Sequence, residues 1–201
     1  MVNLAIFDYG AGNIFSLKNS LEKTGAIVDV ITDFDKPNIY SGLLLPGVGN
    51  FDPAIKNICK SSTDFNDYVK DNTPVLGICL GMEMFFEKSE EGNEKGLGVI
   101  KGDVIILPPS MKVPHMGWNN LEIKKSGKIL EGVKDNDWVY FVHSYRVKPA
   151  NNDVITAESD YGIKVPAVVE QGNFFGTQFH PEKSGKVGKI MIQNFLNVCK
   201  K

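Results

Sequence analysis

Two short stretches of this chain carry residue types that can do covalent chemistry. The first is Gly77-Ile78-Cys79-Leu80-Gly81, a single cysteine bracketed by glycines. An apolar run from Val75 to Ile78 reads as a buried strand, and Leu80 to Phe86 reads as a helix, so Cys79 falls where strand turns sharply into helix. Such a nucleophile elbow exposes the side chain, and Gly77 and Gly81 leave room around the tight backbone. The amides and dipole of the following helix favour thiolate, which is the attacking species. The second stretch is Phe179-His180-Pro181-Glu182. The run Phe174 to Phe179 reads as a strand that delivers His180 at its end, where one ring nitrogen meets Glu182 and the other faces Cys79. Nucleophile, base and orienting carboxylate are then Cys79, His180 and Glu182. Acyl transfer also needs an oxyanion hole. The Leu80 amide supplies one donor, and the unencumbered loop Gly47-Val48-Gly49 can supply a second.

The elements that must position these residues alternate over the first 86 positions. Val2 to Phe7, Ala26 to Ile31, Gly42 to Leu45 and Val75 to Ile78 read as strands. Helices are expected around Ile14, Leu17 and Leu21 (stopped by Gly25), Ile55 to Cys59 and Phe65 to Val69, with a loop through Pro37. The pattern predicts an α/β fold: a doubly wound, mainly parallel sheet flanked by helices, with ligands beyond the carboxyl ends of the strands. From Gly96 the runs Gly98 to Leu107, Trp138 to Tyr145, Asp153 to Glu158, Pro166 to Glu170 and Phe174 to Phe179 predict an added antiparallel layer. Pro114 to Asn119 has no clean period. Ser184 is expected to cap a closing helix whose face carries Val187, Ile190, Met191, Phe195 and Val198.

A length of 201 residues suits one domain, 1–201, that buries roughly 70% of its unfolded surface. The net charge of −2 and the single arginine, Arg146, argue against nucleic acid or membrane as partners. Cys59, Cys79 and Cys199 form no metal-ligand spacing, and the N-terminus carries no signal-peptide pattern. A cytoplasmic setting is expected. Cys59 and Cys199 fit apolar helix faces and are expected in the core.

These motifs together resemble a class I, triad-type glutamine amidotransferase. The likeness extends to Asp8-Tyr9-Gly10-Ala11-Gly12-Asn13, Pro46-Gly47-Val48-Gly49-Asn50-Phe51, Pro114-His115-Met116-Gly117-Trp118-Asn119 and Tyr140-Phe141-Val142-His143-Ser144-Tyr145. With Val48 where related glutaminases carry proline, the chain is similar to the glutaminase subunits of imidazole glycerol phosphate synthase. The resemblance implies hydrolysis of glutamine to glutamate and ammonia by Cys79, His180 and Glu182, with Val48 and Leu80 supplying oxyanion amides. It implies glutamine bound among Gly47, Gly49, Glu83, Ser144 and Tyr145. It implies a separate cyclase subunit, a (β/α)8 barrel met by Asn13, Met116 and Trp118, and neither cofactor nor metal. One position departs from the family, which usually has Gln four residues after the nucleophile where this chain has Glu83. A carboxylate there repels the substrate's own unless it is protonated, turned away or paired with the α-ammonium.

Other readings of the same residues stand beside this one. A paralogous glutaminase could feed another acceptor such as an amidated sugar, and cysteine peptidases also place Cys on an elbow. A partner-binding subunit with decayed chemistry is a further reading, against which the intact Cys, His and Glu weigh. His115 and His143 serve the fold or an interface, and Met116 and Trp118 fill either core or interface. The charged runs Lys124-Lys125 and Ser89 to Lys95 are expected on the solvated surface.

Overall fold

The computed structural model describes residues 2–10, 14–35, 39–69 and 72–200. In chain order the elements are β1 (Asn3–Phe7), α1 (Ile14–Glu22), β2 (Ile27–Ile31), β3 (Gly42–Leu45), α2 (Phe51–Cys59), α3 (Phe65–Val69), β4 (Val75–Ile78) and α4 (Leu80–Glu83). There follow β5 (Lys88–Ser89), β6 (Gly102–Ile106), β7 (His115–Asn120), β8 (Glu122–Ile123), β9 (Trp138–His143), β10 (Tyr145–Pro149), β11 (Ile155–Asp160), β12 (Lys164–Gln171), β13 (Phe174–Thr177) and α5 (Gly185–Cys199). Asn13 and the Pro37 loop lie outside the described residues.

The main sheet has eight strands in the order β2-β1-β3-β4-β13-β12-β11-β8. The first five run parallel, and β12, β11 and β8 continue the sheet antiparallel. Of the five runs expected in the antiparallel layer, those of β11 and β12 extend the core sheet, those of β6 and β9 lie in separate smaller sheets, and Phe174–Thr177 belongs to the parallel part, hydrogen-bonded beside β4. Two smaller sheets, β10-β6-β5 and the ribbon β7-β9, complete the second half.

Alternating side chains explain why both faces of the parallel strands are apolar. Leu4, Ile6, Leu44, Leu76 and Ile78 pack toward α1 and α5, among Leu17, Leu21, Met191 and Phe195. Ala5, Phe7, Leu43, Leu45 and Val75 face the opposite way, onto Ala54, Ile55 and Ile58 of α2 and Phe65 of α3. A strand buried on both faces reads as a continuous hydrophobic run, and the sequence has such runs here.

Four local expectations change. α4 is one turn long rather than reaching Phe86, because the carbonyls of Met84, Phe85 and Phe86 accept from Leu97, Ile100 and Gly98 instead of from a next helical turn. The Pro114 to Asn119 segment is strand β7, paired with β9 from His115↔His143 to Asn120↔Trp138. Its period is hidden because its inward residues are polar (His115) while Met116 and Trp118 point outward, 62% and 52% exposed. Cys59 is exposed at the end of α2, whereas Cys199 is buried. Ser184 sits at the start of α5 without a side-chain cap bond, for its hydroxyl is used elsewhere.

Three glycines lock the strand ends together. A Cβ on Gly81 would sit 2.0 Å from the Leu45 carbonyl oxygen, and one on Gly77 would sit 2.5 Å from the Gly81 oxygen. A Cβ on Gly47 would meet the Ile78 oxygen at 1.6 Å. All three clashes are with backbone, which cannot swing aside. Gly25→Ala, by contrast, meets nothing within 4 Å and carries only the strain of a φ of +87°. We expect Gly25→Ala to cost about 1 kcal/mol and Gly81→Ala well above 3 kcal/mol, or to abolish folding, in urea denaturation. Equal losses would contradict the packing described.

Candidate active site

Parallel pairing of β4 with β13 brings the two chemical stretches to one sheet edge. Ile78 is in register with Thr177, and the Cys79 amide donates to the Thr177 carbonyl at 2.6 Å. Cys79 is one residue past its strand and His180 three past the neighbouring one. Cys79 adopts φ +52°, ψ −108°, a conformation disfavoured for a residue with a Cβ, as the sharp strand-to-helix turn demands.

The imidazole is held from several sides. His180 Nδ1 bonds Glu182 Oε1 at 2.9 Å, and both side chains are buried. The His180 amide donates to the Tyr140 carbonyl at 3.0 Å. The Ser184 hydroxyl donates to the His180 carbonyl at 2.7 Å and accepts from the Tyr140 amide at 3.0 Å. Ser184, expected as a helix cap, thus stitches the histidine turn to β9. His180 Nε2 is buried and has no hydrogen-bond partner among the described residues, so it is free to take a proton.

Cys79 lines a cavity of about 270 Å³ with Val48, Gly49, Leu80, Glu83, Glu91, Pro114, Val142, His143, Ser144 and Tyr145. That volume admits a small amino acid. Gly47 lies just behind, its backbone against Ile78 and the Leu80 nitrogen. A larger cavity of about 480 Å³ lies beside Cys199 and Thr24 and shares no lining residue with this one. No cluster of His, Cys, Asp and Glu among the described residues has the arrangement of a metal site.

The thiol is less acidic than the elbow alone suggests. Burial pushes Cys79 well above its ordinary value, and the Glu83 carboxylate adds to this. The Leu80 amide and the Gln178 side-chain amide oppose it. With α4 only one turn long, its dipole is too small to offset burial. The resting sulfur is a thiol, 3.7 Å from the Val142 carbonyl that can accept its hydrogen.

Sequence reading missed three contributors. Gln178 lies inside the quoted strand but had no role; its Nε2 donates to Glu83 Oε1 at 3.0 Å and points at Cys79 Sγ, 3.8 Å away. Glu91, expected on the solvated surface, accepts the Phe51 amide at 2.9 Å and faces the cavity. His143 and His115 form a buried chain. His143 Nδ1 donates to the Tyr145 carbonyl at 2.7 Å, so its Nε2 must accept from His115 Nδ1 at 2.9 Å. His115 was hidden because polar residues stand at the inward positions of β7, whereas His143 ends the inward row Val139 and Phe141 of β9.

The chain has the sequence and architecture of one family: residues 5–199 match the model for glutamine amidotransferase class-I, and the protein belongs to that family. It is 46% identical over 98% of its length to all of the imidazole glycerol phosphate synthase subunit HisH of Archaeoglobus fulgidus. It is 45% identical to subunit HisH 1 of Methanococcus maripaludis, covering 97% of this chain and 99% of that one. Among solved structures it superposes on PurLQS from Thermotoga maritima with a TM-score of 0.79 at 18% identity, covering 98% of this chain and 99% of that one. A glutamine amidotransferase crystal structure gives 0.76 at 18% identity, with the same coverage.

Two measurements follow from the electrostatics. Burial holds the His115 and His143 imidazoles low, at about 4 and about 3. Nitrogen-15 NMR at pH 5.5 should find both neutral with the proton on Nδ1; an imidazolium signal from either would contradict the chain drawn here. Glu83 is raised from 4.5 to about 7, chiefly by burial, with Glu91 adding and the Gln178 bond opposing. A carboxyl raised on folding contributes stability that is complete below pH 4.5 and lost as pH climbs through 7, a loss of about 3 kcal/mol. Glu83→Gln carries no such loss, so its urea midpoint should gain on the parent chain between pH 4.5 and pH 8. A pH-independent difference would contradict it.

Proposed function

We propose that this chain is the glutaminase subunit of an imidazole glycerol phosphate synthase, a single amidotransferase domain over 1–201 working in the cytoplasm. It hydrolyses glutamine to glutamate and ammonia, and the ammonia passes to a cyclase subunit that makes imidazole glycerol phosphate and AICAR in histidine biosynthesis. The observation that carries this reading is Cys79 on a strained elbow at the end of β4, with the His180–Glu182 pair following the adjacent parallel strand β13, in a chain alike from end to end to HisH subunits.

His180 Nε2 takes the Cys79 proton, and the sulfur attacks the side-chain amide carbon of glutamine. The carbonyl π electrons move to oxygen, where the Leu80 amide and the Val48–Gly49 backbone stabilise the charge. What supports the Leu80 role is its amide, which already faces the sulfur, and the Gly47 backbone packed against it. Collapse of the intermediate expels the amide nitrogen, to which His180 returns the proton, leaving a thioester and ammonia. Water, deprotonated by His180, attacks the thioester; the C–S bond breaks and glutamate leaves. Glu182 keeps the imidazole oriented and stabilises its protonated form. Glu83, Ser144 and Tyr145 bound the substrate in the cavity.

The outward face of the β7–β9 ribbon is where a (β/α)8-barrel cyclase would dock. Met116 and Trp118 project there, and Tyr140 meets Trp118 edge-on at 6.0 Å. Large apolar side chains left in water on a strand pair whose Val142 and His143 line the cavity suit a subunit interface. Asn13, which lies outside the described residues, is a cyclase contact by family resemblance alone.

Glutamate release, measured with and without the cyclase and its ribonucleotide substrate, tests the chemistry. Cys79→Ala and His180→Ala should each lose more than about a thousandfold while still binding the cyclase; retained turnover in either sinks the assignment. In calorimetric titration with the cyclase, Trp118→Ala should weaken binding about tenfold or more. Unchanged affinity would move the interface elsewhere.

A further inference from the structure

Glu83 is a buried carboxylate, 4% exposed, with no cationic partner among the groups that act on it. Its Oε1 and the Cys79 sulfur contact the same nitrogen, Gln178 Nε2, at 3.0 and 3.8 Å, so the two cannot lie farther apart than those distances combined. Gln178 is itself fully buried, and its Oε1 has no partner among the described residues. The amide is therefore held by its NH2 end alone, shared between a carboxylate and a nucleophile.

We propose that Glu83 is a positioning residue for the nucleophile: by holding the Gln178 amide it sets, according to its own protonation, how readily Cys79 gives up its proton. The inference rests on Cys79 being the nucleophile. Ionised, Glu83 draws the Gln178 N–H into a charge-assisted bond and away from sulfur, and its charge opposes a second negative charge nearby in a low-dielectric interior. Protonated, it exerts neither effect, and the amide is free to support the thiolate. The proton passes between Glu83 and solvent; no other group is consumed.

The groups around Glu83 leave its charge uncompensated. α4 packs against β3, β4 and β13, from which Cys79 and Gln178 approach. Burial makes the hydroxyls of Tyr9 and Tyr145 harder to ionise, and the Glu83 charge adds a smaller share to each. Glu91 faces it as a second carboxylate, and His143 lines the same cavity as a neutral ring. Its protonation equilibrium falls near neutrality, at about 7, where a modest change of pH or of neighbouring charge switches it.

The test is the alkylation rate of Cys79 by iodoacetamide between pH 5.5 and 9, read peptide by peptide by mass spectrometry on the full chain. Exposed Cys59 serves as the internal reference and Cys79→Ala as the blank. Glu83→Gln keeps an acceptor for Gln178 but removes the charge. Its Cys79 rate relative to the parent should be near unity at pH 5.5 and rise to about tenfold by pH 8.5, with Cys59 unchanged. A ratio that is flat with pH overturns the proposal. If Glu83→Gln does not fold, the parent chain still decides. Its log rate against pH should rise with a slope clearly below one between pH 6 and 8, whereas a uniform slope of about one indicates a single uncoupled thiol and overturns the proposal. Glutamine turnover retained by Cys79→Ala would instead remove the nucleophile assignment, a failure that the alkylation profile does not mimic.

Discussion

The contact on which the site depends is backbone against backbone. The loop after β3 presses its Gly47 onto the last peptide of β4, and Gly81 packs its Cα against the Leu45 carbonyl. No side chain intervenes, so the loop and the elbow are held at a separation that only glycine permits. Cys79 tolerates φ +52° because the surrounding sheet over-determines it: its amide is fixed by Thr177, and its carbonyl accepts from Glu83 at 3.0 Å. Loosening that contact would disturb the Cys79 turn and the Gly47–Gly49 loop together.

The remainder of the catalytic geometry hangs on β13. Because it lies beside β4 in parallel, the chain leaves both strands in the same direction and brings His180 to the same sheet edge as the elbow. The histidine turn is then tied to β9 through Ser184 and Tyr140, so the same strand pair braces the imidazole and carries the exposed Met116–Trp118 face. His115 of β7 bonds His143 of β9 at 2.9 Å, and His143 bonds the carbonyl of Tyr145, which lines the cavity, at 2.7 Å.

Electrostatically the cavity runs against its own chemistry. Two carboxylates, Glu83 and Glu91, face a buried thiol, and the favourable amides of Leu80 and Gln178 do not outweigh burial. Burial therefore holds the thiol well above its ordinary range.

Much of this was legible in the chain itself. Continuous apolar runs announced the parallel strands, since a strand buried on both faces has no polar positions to alternate with. The glycines about Cys79 and the His-Pro-Glu turn announced the chemistry, because few other residues fit such backbones. What the sequence withheld were relations between distant segments. β7 escaped because its inward residues are polar and its outward ones apolar, which inverts the usual period. Phe174–Thr177 gave no sign of joining the parallel core, since pairing partners are chosen by the whole sheet and not by local pattern. The length of α4, the partners of Gln178 and Ser184, and the burial that raises Cys79 and Glu83 all depend on which segments close over the elbow. Residue types fixed what reaction was open to this protein; only the tertiary structure, by setting burial and neighbours, decided the protonation states from which that reaction starts.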